Sequence, residues 1–191
     1  MELQQAILIA TTIKETLAPH CDVINIAGSI RRGKTNPKDI EIVCLPSTRP
    51  ILDVFGEEAG RKRTQDFVKA VEGLGVIEKG CPKEGRYLKI GLKQGIALDL
   101  FIPQPVDYYR QLAIRTGPSD YSHKVIATSW VKIGWCGTTD GLRKISDCKK
   151  KQNGNWVVVN KDYRLPPAWR TEKEFFEWLG VEFLEPGLRA I

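Results

Sequence analysis

The stretch "GSIRRGKTNPKDIEIVCLP", residues 28 to 46, decides the fold. It opens on a Gly-Ser step and a basic loop, then enters an apolar segment broken by Asp39 and Glu41, two carboxylates separated by one isoleucine. The segment predicts a strand over 39–46, closed by Pro46. Side chains alternate across a strand, so Asp39 and Glu41 share one face while Ile40 and Ile42 take the other. A carboxylate held among apolar neighbours is costly unless something compensates it. An Asp-x-Glu strand or a Gly-Ser-Arg-Arg turn is, by itself, most often just a solvated surface. Here the two occur together, and a third acid recurs in a later apolar strand.

Working outward, "DVINIAG" (22–28) reads as the antiparallel partner of that strand. Residues 3–18 form a helix, with Leu3, Ile7, Ala10, Ile13 and Leu17 at helical spacing and Pro19 ending it. A second helix spans 63–75, with Phe67, Val71 and Leu74 on one face and a terminal glycine suited to a left-handed cap. "GRYLKIGLKQ" and "GIALDLFIP" read as antiparallel strands turning at Gln94-Gly95, and the second carries Asp99 opposite Leu98 and Leu100. The expected class is α+β, a mixed or antiparallel sheet with helices on one side, followed by a small α+β lobe. After Pro103 and Pro105 the texture changes, and the boundary is drawn between 1–106 and 107–191. The second lobe is expected to hold a helix from about Ser119 to Lys132 and a small ribbon through 136–163. It ends in a helix opened by the Thr171/Glu174 capping box and closed at Gly180. The five tryptophans, all in this lobe, are assigned to its core.

The chain has 191 residues, 42% apolar and 27% charged, enough to bury a core without staples. No apolar run approaches the roughly 20 residues of a membrane span. The N-terminus reads as an amphipathic helix rather than a signal peptide, and five scattered cysteines show no metal or redox spacing. A cytoplasmic, monomeric protein with no membrane partner is expected. A net charge of +6 biases it toward polyanions.

Three acids near one another repel strongly unless cations sit between them. Hard divalent cations take carboxylate oxygens together with substrate phosphates and water. Asp39, Glu41 and Asp99 therefore suit two Mg²⁺ ions, with Mn²⁺ an acceptable substitute, in a site that handles phosphates. Gly28 lets backbone approach a phosphate, Ser29 can donate a hydrogen bond and Arg32 can neutralise charge.

"GSIRRGKTNPKDIEIV" resembles the nucleotidyltransferase signature of the family X DNA polymerases, and "LDLFIP" resembles the strand bearing their third metal ligand. "RTGPSDYSHKV" resembles the segment that lines their nucleotide site. "TEKEFFEWLGVEFLEPGLR" (171–189) resembles the C-terminal block of their thumb, including Glu185-Pro186 and Arg189. The resemblance spans nearly the whole chain and is greatest to the minimal palm-plus-thumb viral form, which would suit a virus or phage. It implies a catalytic palm at 1–106 and a thumb at 107–191. Asp39, Glu41 and Asp99 would hold the metals, and Gly28, Ser29 and Arg32 the triphosphate. Thr116 and Gly117 would contact the nucleotide, and Ser122, His123 and Lys124 the DNA. Sharp backbone at this place in the family also implies a cis Gly117-Pro118 bond.

The sequence departs from the family at several positions. Glu41 stands for the usual aspartate, Ile114-Arg115 for an aromatic pair, Ser122 for an asparagine and Ile126 for an arginine. The chain starts at the first palm helix, so no lyase domain is expected. DNA affinity would then draw on Lys124, Lys132, Arg143, Lys144 and Lys149 to Lys151. The implied reaction is transfer of a nucleotide to a primer 3′-hydroxyl on a primer-template or gapped DNA, of the repair or gap-filling sort. Two alternatives stand beside it: the same chemistry on a non-DNA or template-free acceptor, and a catalytically decayed DNA-binding module.

Overall fold

The computed structural model describes residues 1–160 and 162–189; Lys161, Ala190 and Ile191 lie outside the described residues. The chain divides into two compact units, Met1–Pro103 and Gln104–Ile191.

The first unit begins with α1 (Leu3–Leu17), whose buried stripe is Ala6, Ala10, Ile13 and Leu17. Two alanines in that stripe let the helix lie close to the sheet. Strand β1 (Cys21–Ile26) follows, then a single-turn helix α2 (Gly28–Arg31) where the sequence suggested a turn, then β2 (Asp39–Pro46). β3 (Thr48–Leu52) and β4 (Glu58–Arg63) form a separate two-stranded arm that the sequence did not reveal. Next come α3 (Gln65–Leu74), β5 (Gly75–Lys79), β6 (Tyr87–Leu92) and β7 (Ala97–Phe101).

The main sheet runs β1-β2-β7-β6-β5 and is mixed, because β2 and β7 are parallel while the other pairings are antiparallel. One face buries Ile40, Ile42, Leu88, Ile90, Leu98 and Leu100 completely, in one core with Ala6, Ala10, Leu17, Phe67 and Val71 of the two helices. Each such side chain contributes about 1.5–3 kcal/mol by leaving water. A one-residue slip of β2 or β7 would exchange these residues for the acids, so the buried face fixes where the carboxylates point.

The glycine ending α3 departs from expectation. Gly75 is extended, with φ 168°, and passes straight into β5. A Cβ there would stand 2.2 Å from the Gly91 carbonyl oxygen, so close backbone approach and not a left-handed cap requires the glycine.

The second unit contains α4 (Tyr108–Thr116), then a helical run made of α5 (Ser119–Tyr121), a π-wound segment Ser122–Ala127 and α6 (Thr128–Lys132). Strands β8 (Trp135–Thr138), β9 (Gly141–Lys144), β10 (Cys148–Lys150) and β11 (Trp156–Val158) form a four-stranded sheet ordered β10-β11-β8-β9. Helix α7 (Glu172–Leu179) is capped as the sequence predicts: Thr171 Oγ1 accepts from the Glu174 N–H at 3.1 Å, and Gly180 is left-handed at φ 68°. Trp130, Trp135 and Trp169 are buried with Phe175 and Phe176, and Trp169 meets Phe175 edge-on at 4.9 Å. Arg189 lies over the Phe176 ring and pairs with buried Glu172 at 3.0 Å.

Candidate active site

The sheet face opposite the helices carries the acids. Glu41 and Asp99 are direct register partners across the parallel β2–β7 pair, and Asp39 lies two residues along on the same face, opposite Ala97. All three are half-buried, while their neighbours Ile40, Ile42, Leu98 and Leu100 are fully buried on the other face. On the far side of Asp99 the partner is Lys89, whose ammonium pairs with Glu78 at 3.3 Å. Tyr87 donates its hydroxyl to Asp99 Oδ1 at 2.7 Å, and its ring packs against Phe101 with centroids 5.3 Å apart. Tyr87 and Lys89 were not foreseen as parts of this face. Alternation alone cannot align one strand with the next; the signal that could have placed them is the turn at Gln94-Gly95, which in a hairpin sets the register that puts Lys89 opposite Asp99.

The Gly28–Arg31 turn closes down on the same place. The Ala27 N–H donates to the Glu41 carbonyl at 2.8 Å. A Cβ on Gly28 would come within 2.0 Å of Glu41 Oε2, and Gly28 has φ +66°, so glycine is required twice over. One residue on, Ser29 Oγ is buried with no hydrogen-bond partner among the described residues. A buried hydroxyl left unsatisfied is unfavourable, so Ser29 has a hydrogen bond to give to a water or a ligand oxygen. The Arg32 N–H closes the turn on the Gly28 carbonyl at 3.2 Å.

The remaining candidates lie in the second unit. Thr116 is fully buried, and Gly117 caps α4 with φ +64°, its N–H on the Ala113 carbonyl at 3.3 Å. The Gly117-Pro118 bond is cis, as the sequence implied. Ser122 gives its hydroxyl to the Ile114 carbonyl at 2.9 Å, tying α4 to the following run. His123 and Lys124 are exposed, and Lys124 pairs with Asp120 at 3.2 Å. Arg143, expected to serve DNA affinity, is instead buried under the Tyr163 ring at 4.5 Å and donates to the Leu142 carbonyl. Lys144 lies over the Trp135 ring at 4.6 Å, and Lys149 to Lys151 are exposed.

Among the described residues, no three His, Cys, Asp or Glu side chains are gathered into a metal-holding group. The backbone aligns the three carboxylates without closing them on a common point. Their donor chemistry still suits hard divalent cations, since every donor is a carboxylate oxygen and the three residues share one sheet face. Among the described residues, no helix is long and apolar enough to cross a membrane.

The sequence matches no protein-family model and no curated protein. Among solved structures it is similar to the polymerase beta of Leishmania infantum in a ternary P/T complex, at 16% identity and a TM-score of 0.64. The match covers 100% of this chain and 77% of that one. At this identity the likeness shows a shared fold: the chain has the α+β fold of that polymerase.

Proposed function

We propose that the protein is a nucleotidyltransferase that adds a nucleotide to the 3′-hydroxyl of a DNA primer, as a family X type DNA polymerase acting in gap filling or repair. The observation that carries this is the in-register pairing of Glu41 with Asp99, with Asp39 on the same face. Support comes from the unsatisfied Ser29 hydroxyl, from the basic net charge and from the polymerase fold.

In this reading Asp39, Glu41 and Asp99 would hold two Mg²⁺ ions, or Mn²⁺ in their place. When bound, the ions supply charge neutralisation at the phosphates and a lowered pKa for the attacking hydroxyl. Asp99, steadied by Tyr87, faces the primer 3′-hydroxyl and favours loss of its proton. Gly28 brings backbone up to the triphosphate, and Ser29 donates to one of its oxygens. Arg32 neutralises part of its charge, and Thr116 and Gly117 contact the nucleotide. Ser122, His123 and Lys124 lie along the DNA.

Extension assays on gapped, primed and single-stranded DNA, with each nucleotide in turn and Mg²⁺ supplied, test the proposal. Incorporation of the templated nucleotide on gapped DNA is expected. Incorporation without a template would move the assignment to another acceptor. Tight DNA binding with no incorporation would favour the decayed module, a reading that draws on Glu41 standing where the family has aspartate.

A further inference from the structure

Away from the acidic face, a pocket of about 130 Å³ opens at the root of the β3–β4 arm, lined by Arg49, Lys62, Arg63, Gln65, Val68 and Lys83. Four of these six residues are cations and none is an acid. Arg49 and Lys62 are direct register partners across the antiparallel arm. Like charges placed opposite one another repel and weaken the pairing unless an anion lies between them. Neither residue, nor Lys83, forms a salt bridge among the described residues.

The pocket is held in shape by Arg63. Its Nη1 donates to the Pro82 carbonyl and its Nη2 to the Gly85 carbonyl, each at 2.8 Å, which fixes the loop carrying Lys83 against the arm. A backbone bond from the Thr64 N–H to the Ser47 carbonyl at 3.1 Å closes the root of the arm. Two of the five guanidinium hydrogens go to these carbonyls, and carbonyls do not neutralise the charge. Burial, the largest influence on this guanidinium, works against its charged form, and the nearby Glu84 offsets it less. Gln65, in the first turn of α3, adds a neutral amide, and Val68 makes an apolar floor. The volume corresponds to about four waters at roughly 30 Å³ each, room for one tetrahedral oxyanion with part of its hydration.

We infer that the pocket at the root of the β3–β4 arm binds a phosphate group of a DNA strand, as a second anchoring point distinct from the acidic face. The basic pocket stands on its own geometry; the choice of DNA as the source of the phosphate rests on the proposed function. A nucleic-acid backbone offers the matching group, a singly charged tetrahedral oxyanion that cations of either type can hold.

The test compares wild type with Arg49→Gln/Lys62→Gln and with Lys93→Gln/Lys173→Gln, which removes the same charge elsewhere on the surface. DNA binding is followed by fluorescence anisotropy across a salt series, and inorganic phosphate binding by calorimetry. The arm variant should bind DNA more weakly at every sequence, with the slope of log K against log salt shallower by about 1 per lost phosphate contact, while the control keeps the wild-type slope. An arm variant whose DNA affinity and slope match wild type overturns the inference. So does one that loses only inorganic phosphate, which would make the site one for free phosphate. If wild type extends primers while the arm variant's slope is unchanged, the pocket assignment alone falls; if wild type neither binds nor extends DNA, both readings fall.

Discussion

At the scale of single residues, the acidic face depends on a close packing that leaves no room for change at Gly28. A methyl group there would meet Glu41 Oε2 at 2.0 Å, in a left-handed backbone that costs an L-residue about 1–2 kcal/mol. Gly28→Ala should therefore lose that stability in a denaturant titration and displace the Glu41 carboxylate. Misplacing a reacting group by about an ångström costs on the order of 10²-fold, which single-nucleotide incorporation would read. Tyr87 acts through Asp99, whose Oδ1 takes its hydroxyl at 2.7 Å. With the donor removed in Tyr87→Phe, the Mg²⁺ concentration for half-maximal incorporation should rise by about 10-fold. An unchanged Mg²⁺ dependence would leave the tyrosine a packing residue beside Phe101. The acids were legible in the sequence because an ionised side chain interrupts an apolar strand. Tyr87 was legible only through the hairpin register set at Gln94-Gly95, because a tyrosine in a strand looks the same by itself whether it faces an acid or water.

At the scale of elements, α7 shows how local chemistry sets a boundary. The Thr171 hydroxyl takes the Glu174 N–H, and the Glu174 carboxylate takes the Arg170 backbone N–H at 2.7 Å and its guanidinium at 3.1 Å. Thr171→Ala should lower unfolding free energy by about 1 kcal/mol in chemical denaturation. The Arg170 backbone N–H, and then its side chain, hold the Glu174 carboxyl below its ordinary range. Because the folded value is depressed, this contribution is present above the ordinary carboxylate pKa and is lost as pH falls through the folded value. Thermal melts across the acid range should show Glu174→Gln losing less stability on acidification than wild type. This helix was legible because its cap is written in adjacent residues. The β3–β4 arm was not: β3 is exposed at every position and β4 at most of its own, so no apolar alternation marks them, and Pro50 argues against a strand. Helix α4 is not legible either, because "YYRQLAIRT" carries polar residues and arginines on several sides, and one of these, Arg110, is buried in an ion pair with Asp107 that no periodicity announces.

At the scale of the whole molecule, each unit builds its own core, aliphatic in Met1–Pro103 and aromatic in Gln104–Ile191. The α+β class and the change of texture after Pro103 follow from patterning along the chain. The parallel β2–β7 pairing that sets Glu41 beside Asp99 does not, because it joins strands more than fifty residues apart through the intervening arm, helix and β5–β6 pair. That pairing is the physical basis for assigning chemistry to this sheet face. Its most direct test is single-nucleotide incorporation on a gapped duplex by wild type and by Asp99→Ala, both shown to be folded by their melting curves. Wild type should extend the primer by the templated nucleotide with Mg²⁺ and stop when the metal is chelated, and Asp99→Ala should lose extension under the same conditions. Extension that survives in Asp99→Ala, or a folded wild type that extends no primer, would contradict the assignment of catalysis to the three acids.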